Sequence, residues 1–576
     1  MIEEEIVELT EDLSASSLYS EDLAPVPKNK RTWTKWSLAA LWVGMAVCIP
    51  TYLLASYMMK DGMGWLESLI IIGIANLVIT IPMVLNGHAG VKYGVPFPVL
   101  GRSSFGTKGV HLASVSRGIV ACGWFGIQTW IGGMAIYEII YAFSEGSTPM
   151  DLNWLMFVCF GVFWFMNMYF IWKGTDSIKW LEEYSAPILI LMGVVLIGWG
   201  AYYGGGFGVV LDQSRQLQKA TLEVSSAENS YVITLNGIAD KNGKTKANMY
   251  AHKRVTETGS EMIEYNSFPE NGTISIPKRV ANNETGSIQL IYKTDTELIE
   301  SSWTPIILDA APKQAPNKLW QYIKWLTVML GFWATMSLSI SDITRYSPSQ
   351  KAQKQGQFIG LPGTMMLYSF VSIFVTCASV LIFKDVLIAA DAPWDPTTLL
   401  GKFDNPWVVI TAQIFMIIAT LSTNIAANVI APSNAFSNVY PKKISFKMGG
   451  TITGILGILI CPWWLMNDIA GILILVSGFL GPVLAIMLCD YFFVRRKRLK
   501  LAELYKSEGE YSYSGGFNMN AIVSLAMGVG GALIWYLVPS LTYLSNLAWF
   551  TGFIISFIVY YMLMRKYIEP KSRLQH

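Results

Sequence analysis

The chain has 576 residues, of which 52% are hydrophobic and only 14% charged, with a mean hydropathy of +0.40. So few charges cannot cover the surface of a soluble protein of this length. A net charge of +2, without a concentrated basic patch, excludes a nucleic-acid or strongly acidic partner.

The stretch from Met1 to Asp22 is acidic and lacks the basic-then-apolar order of a cleaved signal, so the first apolar helix is expected to direct insertion. A helix needs about 20 apolar residues to cross a bilayer core. Segments of that length lie near 36–58, 64–87, 117–143, 153–173, 184–202, 318–340, 357–383, 406–434, 446–464, 468–493, 519–538 and 545–565, which makes twelve candidate spans. Helix is expected throughout, because backbone groups in lipid must pair within the segment and the runs lack strand alternation.

Basic residues set the orientation, since positively charged short loops stay cytoplasmic. Lys28, Lys30, Arg31 and Lys35 precede the first span. Every second loop is then basic: Lys92, Arg102, Lys108 and Arg117; Lys173 and Lys179; Arg345, Lys351 and Lys354; Lys442, Lys443 and Lys447; Arg495 to Lys500. Arg565, Lys566, Lys571 and Arg573 close the series, and Lys60, Lys384 and Lys402 stand nearly alone on the other side. The pattern predicts a multi-pass protein of the plasma or bacterial inner membrane with both termini cytoplasmic.

Five regions result: a cytoplasmic tail 1–35, five spans in 36–202, an insertion 203–317, seven spans in 318–565, and a cytoplasmic tail 566–576. The insertion carries the strand-like runs Ala220–Val224, Tyr231–Leu235, Thr273–Pro277 and Ile288–Lys293, separated by Asn- and Gly-rich turns. It reads as a small all-β domain outside the cell, either a stabilising appendage or a module for a partner whose identity the residues leave open.

Pro50 in the first span removes a backbone donor and clashes one turn back, and Gly44 weakens the preceding turn, so a break near mid-membrane is expected. In the third span Trp124 and Gln128 share a helix face, offering an aromatic plane beside an amide, or else helix packing and interhelical glue. The sixth span has Gly331 followed by the hydroxyl-rich Thr335 to Ser341, a second expected interruption. Broken helices at corresponding positions of two repeats point to a substrate and ion site. In the eighth span Ala419, Ser422 and Thr423 lie on one face, suited to a hard monovalent cation or to back-bonding along the helix. Asn428 points about 140° away from Thr423 in a straight helix, so a shared site requires local irregularity.

No nucleophile elbow, phosphate loop or paired-His motif is present, and the six cysteines, Cys48, Cys122, Cys159, Cys377, Cys461 and Cys489, lack CxxC spacing. A transporter rather than an enzyme is therefore expected, with no cofactor beyond a coupling ion. No Asp, Glu or His falls among the candidate site residues, which weighs for sodium over protons. Asp342 beside Arg345 reads as an ion pair.

Gly44-Met-Ala-Val-Cys-Ile-Pro50, Asn86-Gly-His-Ala-Gly, Tyr93-Gly-Val-Pro-Phe-Pro, Gly101-Arg-Ser-Ser-Phe-Gly106, Trp124-Phe-Gly-Ile-Gln128, Gly331-Phe-Trp-Ala-Thr and Asp342-Ile-Thr-Arg-Tyr346 occur in this order. Together with the eighth-span run they resemble the nucleobase:cation symporter-1 family, which includes cytosine, uracil and allantoin permeases and the benzylhydantoin transporter. The resemblance implies an all-α LeuT-like fold of two inverted five-helix repeats plus two helices. By it, Trp124 and Trp333 sandwich a small planar nitrogen heterocycle and Gln128 and Asn428 hydrogen-bond to it. The carbonyls of Gly44, Val47 and Ala419 and the hydroxyls of Ser422 and Thr423 match the family's sodium site. Cys48 stands where the family often has Gln, at a substrate-contacting position, and the long insertion is a further departure. The function expected is cation symport of a nucleobase, allantoin or hydantoin. Its alternatives are proton coupling, or a substrate sensor or receptor that signals through the outer domain.

Overall fold

The computed structural model describes residues 6–143, 152–212, 221–226, 230–236, 248–255, 261–269, 273–277, 287–293, 298–300, 304–305, 317–383, 399, 403, 405–465, 469–537 and 544–568. The turns between several strands, and Ala220, Lys384, Lys402, Lys571 and Arg573, lie outside these residues.

The first span is two helices, α1 (Lys35–Ala46) and α2 (Ile49–Lys60), meeting at a 62° bend. Thr34 caps the start by accepting from Ser37 N, and the last bond of the first half runs from Val47 N to Val43 O at 3.0 Å. Cys48 is extended and Pro50 falls in the first turn of α2, where a missing amide does least harm. The predicted break is therefore present at Val47–Cys48.

Next come α3 (Trp65–Tyr93), the short α4 (Phe97–Leu100) and α5 (Arg102–Phe105), α6 (Val110–Tyr141), α7 (Trp154–Lys173), α8 (Thr175–Tyr203) and α9 (Phe207–Asp212). After a turn at Gly204–Gly206 the chain is helical again in α9, within the expected insertion, and Phe207 stacks on Phe374 at 4.8 Å. The later helices are α10 (Lys318–Ser339), α11 (Ser341–Thr344), α12 (Gln350–Ile382), α13 (Pro406–Asn428), α14 (Ile430–Val439) and α15 (Phe446–Leu459). Helices α16 (Pro462–Leu465), α17 (Ile469–Cys489), α18 (Met519–Leu537) and α19 (Ala548–Met564) complete them. A helix thus falls on each apolar segment of the sequence, and among the described residues seven, or eight with the bent α1–α2 pair, are long and apolar enough to cross a membrane.

Helix α10 departs from expectation. It runs unbroken through Gly331 because the hydroxyls of Ser337 and Ser339 bond back to Ala334 O and Thr335 O without displacing the helix. The interruption comes at Ile340 instead. There Asn86 of α3 donates to the carbonyls of Ser337 and Leu338 at 2.9 and 2.7 Å, capping oxygens that a helix end leaves without partners.

Two of the basic residues assigned to loops prove to be buried joints. Arg102 donates to Leu504 O at 2.8 Å and Asn438 Oδ1 at 2.6 Å, and burial pulls its guanidinium down to about 10. Arg117, inside α6, ties Thr335 O of α10 to Ala427 O of α13 at 2.8 and 3.2 Å. Asp342 makes no ion pair within 4.0 Å with Arg345 among the described residues. Its Oδ1 instead accepts from Phe97 N at 2.9 Å and Asn434 Nδ2 at 3.0 Å, while Arg345 donates to Asp22 O and Tyr346 OH.

Between α9 and α10 lie β1 (Thr221–Ser226), β2 (Ser230–Asn236), β3 (Met249–Val255), β4 (Glu261–Ser267), β5 (Thr273–Pro277), β6 (Ser287–Lys293), β7 (Leu298–Glu300) and β8 (Thr304–Pro305). They form two antiparallel sheets, β1-β2-β5 and β4-β3-β6-β7, with β8 pairing β6. All four expected runs are strands over their described residues. The polar strands β3 and β4 carry too little apolar alternation to stand out.

Candidate functional site

The break in α1–α2 is where the candidate residues meet. Helix α13 runs past it, and Thr423 Oγ1 donates to Gly44 O at 2.8 Å, holding the last turn of α1 against the eighth span. Val47 and Ala419 pack in one apolar cluster with Val43, Ala186, Leu189 and Phe415, so α1, α8 and α13 share a seam at that level. Ser422 completes the group. A Cβ built on Gly44 would lie 2.3 Å from its Oγ, which places the two residues in direct apposition. All five expected cation residues, Gly44, Val47, Ala419, Ser422 and Thr423, are therefore brought together.

The donor set suits a hard monovalent cation, being carbonyl and hydroxyl oxygen with no sulfur or imidazole among those five residues. A residue absent from the sequence-based list joins them. Glu182 of α8 is buried, and its Oε2 accepts from Ser422 Oγ at 2.7 Å. The expectation that no acidic group lies in the site is overturned. Its cause is the placement of the fifth span at 184–202, whereas α8 already begins at Thr175. The detectable signal was the spacing Ile178, Leu181, Glu182, Ser185, Ala186 and Leu189, a buried stripe at helical period that carries the carboxylate inward.

On the other side of the break, the buried Cys48 thiol lies 3.3 Å from Thr51 Oγ1, one turn into α2. Gln128 is buried with Oε1 unpartnered, and Trp333 is buried with Nε1 unpartnered. A free acceptor and a free donor among aromatic rings can be satisfied by a ligand presenting the complementary N–H and C=O edges.

The rings are arranged around Phe332. Trp124 meets it edge-on at 6.0 Å and Trp333 at 4.8 Å, while Trp42 meets Trp333 edge-on at 5.2 Å. Trp124 and Trp333 are neighbours of a common ring, not a stacked pair, and Phe332 and Trp42 are members of the aromatic group that motif spacing did not single out. Asn428 is the last residue of α13, and the helix is continuous from Thr423 to Asn428, so the irregularity that a shared site required does not fall between them; the turn comes one residue later, at Val429. Asn428 Nδ2 donates to Asn424 Oδ1 at 3.1 Å, and Asn424 is anchored in turn by Thr129 and Asn167, both at 3.1 Å.

The family of permeases for cytosine/purines, uracil, thiamine and allantoin matches residues 25–240 and 299–559 of this chain. A purine-uracil permease of Arabidopsis thaliana is 31% identical over 97% of this chain and 80% of its own length. An allantoin permease of Bacillus subtilis is 30% identical over 97% of this chain and 95% of its own. Among solved structures, the nucleobase-cation-symport-1 transporter Mhp1, closed with bromovinylhydantoin bound, aligns with a TM-score of 0.67 at 20% identity. That alignment covers 97% of this chain and 99% of the other. A Na+-coupled sialic acid symporter aligns at 0.54 and 11% identity, covering 93% and 90%. These likenesses assign the chain the Mhp1- and LeuT-like fold.

Proposed function

The chain belongs to the nucleobase:cation symporter-1 family, the permeases for cytosine/purines, uracil, thiamine and allantoin, and from that membership we propose that it imports a small planar nitrogen heterocycle by symport with sodium. The observation that carries this reading is the shared break: Thr423 of the expected cation group donates to Gly44 O in the last turn of α1 at 2.8 Å, and Cys48, the expected substrate contact, is the extended residue that opens α2 just beyond it. A ligand on either side then biases the same flexible hinge, which is the condition for coupling two binding events.

In this reading Trp124 and Trp333 supply aromatic faces for the heterocycle, and Gln128 and Asn428 bond to its polar edge. Cys48 lines the floor. The carbonyls of Gly44, Val47 and Ala419 and the hydroxyls of Ser422 and Thr423 bind sodium. Occupancy of both sites favours a closed intermediate, and the two repeats then rock about the break to expose it to the other side. The membrane arrangement proposed is twelve spans with both termini cytoplasmic and the β sheets outside. Hydantoin enters the substrate class because a hydantoin permease of Microbacterium maritypicum is 23% identical over 92% of this chain. Allantoin and uracil enter through the relatives above.

Proton symport is a second reading, favoured by the buried Glu182 carboxyl beside Ser422. Uptake of radiolabelled uracil, allantoin and hydantoin into proteoliposomes decides between the two. Accumulation driven by an inward sodium gradient, and abolished by Gln128→Ala, is the expected result. Sodium-independent accumulation that follows a pH gradient would select proton coupling, and binding of every ligand without accumulation would select a sensor.

A further inference from the structure

Helix α8 buries a carboxylate that its packing does not account for. Glu182 Oε2 accepts from Ser422 Oγ at 2.7 Å, Ser422 Oγ lies 3.1 Å from Ser185 Oγ, and Oε1 is buried with no hydrogen-bond partner. The opposing wall is Gly44, where a Cβ would sit 1.7 Å from Oε2. The backbone of α1 is thus pressed directly onto the carboxylate, and only a residue without a side chain allows it. Thr423 Oγ1 reaches Gly44 O at 2.8 Å on the same seam.

Three helices therefore contribute oxygens to one buried spot: the Glu182 carboxylate and Ser185 from α8, Gly44 O from α1, Ser422 and Thr423 from α13. No Lys, Arg or His pairs with Glu182 among the described residues, and the adjacent Lys179 reaches Glu183 instead. An ionised carboxylate offers about four acceptor positions, and a single hydroxyl donor leaves most of them unmet. Burial of such a group without a counter-charge is strongly unfavourable. A small cation held by the same oxygens supplies both the missing charge and the missing contacts.

We infer that Glu182 is an anionic ligand of the cation site, so that a monovalent cation is bound by one carboxylate together with the neutral carbonyl and hydroxyl oxygens. The inference rests on the symport reading above and extends it. With the cation in place the cluster is neutral and can be sealed from water; without it, closure would seal in a bare charge unless the carboxylate first took up a proton. The carboxylate thereby makes closure conditional on the cation, which a purely neutral set of oxygens enforces less strictly.

Sodium-22 binding to the purified full-length protein tests this, with allantoin, uracil and hydantoin binding followed by tryptophan quenching in parallel. Glu182→Gln is expected to lower sodium affinity by roughly tenfold or more, as ligand charge does at other oxygen sites, and to remove the sodium dependence of quenching. Glu182→Asp keeps the charge and is expected to bind sodium more tightly than the Gln variant. A monodisperse elution profile and retained heterocycle quenching show that both variants fold. Sodium affinity unchanged in Glu182→Gln overturns the inference while the sodium reading stands. Wild-type protein that accumulates substrate but binds no sodium overturns the inference and the sodium reading together, and leaves transport intact.

Discussion

Asp490 and Glu182 are both buried carboxylates, yet their surroundings differ completely. Asp490, in the π-helical turn Asp490–Val494 that continues α17, accepts from Arg495 Nε at 2.9 Å, Ser104 Oγ at 3.1 Å and Ser103 Oγ at 3.3 Å on Oδ2, and from Tyr560 OH at 2.9 Å on Oδ1. Its charge and its lone pairs are both met from within the chain. Glu182 has one serine on Oε2 and nothing on Oε1. A buried charge with its full complement of donors is a joint of the fold, whereas one left with a single hydroxyl donor must be neutralised by a proton or a bound cation. The first lies where α5, α17 and α19 are tied together, and the second lies at the hinge of α1 and α2. Rigidity and function are separated accordingly.

The largest effect expected from this contrast is that of Asp490→Asn. Removing the carboxylate leaves the largely buried Arg495 guanidinium without its closest counter-charge, a loss of about 3–5 kcal/mol for a broken buried pair. Thermal unfolding in detergent should fall well below wild type, while Glu182→Gln unfolds close to it. Equal melting of the Asp490→Asn variant and the wild-type protein would break the comparison, because Asp490 would then not be a structural joint.

Gly44→Ala acts on the other carboxylate by volume alone. Its methyl group would lie 1.7 Å from Glu182 Oε2 and 2.3 Å from Ser422 Oγ, and such overpacking costs about 1–3 kcal/mol. Sodium-22 binding is expected to be lost along with part of the stability. Gly198→Ala in α8, where nothing lies within 4 Å of the added atom, should change neither. Thr423→Ala is expected to be milder, removing one hydrogen bond to Gly44 O worth about 0.5–1.5 kcal/mol. Sodium stimulation of uptake should weaken, while heterocycle quenching at saturating sodium persists. An unchanged sodium dependence would remove Thr423 from the cation site.

The difference between the two regions was only partly legible in the sequence. Pro50 and Gly44 announce the break in the first span because their effect on the helix is local. The sixth span misled for the opposite reason. Its hydroxyls look able to support an opened helix, but they bond back along it, and the true interruption at Ile340 depends on Asn86, which comes from another helix. No local pattern reports a partner so distant. Alternating loop charge marked the apolar segments, yet Arg102 and Arg117 entered that count as loop residues although both are buried. The five residues expected to bind the cation came from motif resemblance, and the fold brings them together. Glu182 was missed because two adjacent glutamates end an apolar window, and hydropathy alone then assigns both to a loop.

Those two glutamates supply the finest test of the comparison. Successive residues of a helix point about 100° apart, and here that turn separates a buried ligand candidate from a surface charge. The Glu183 side chain is 40% exposed and stands 3.8 Å from Lys179 one turn earlier. Exposed pairs of this kind contribute about 0–1 kcal/mol. Glu183→Gln is therefore expected to leave the melting temperature and sodium-22 affinity near wild type, while Glu182→Gln depresses the affinity. Both variants remove one negative charge from the same end of α8, so any effect of net charge on the local potential is common to them. A matching loss of affinity in Glu183→Gln would show that sodium responds to that potential rather than to contact with the Glu182 oxygens. A loss confined to Glu182→Gln assigns it to direct ligation at the hinge.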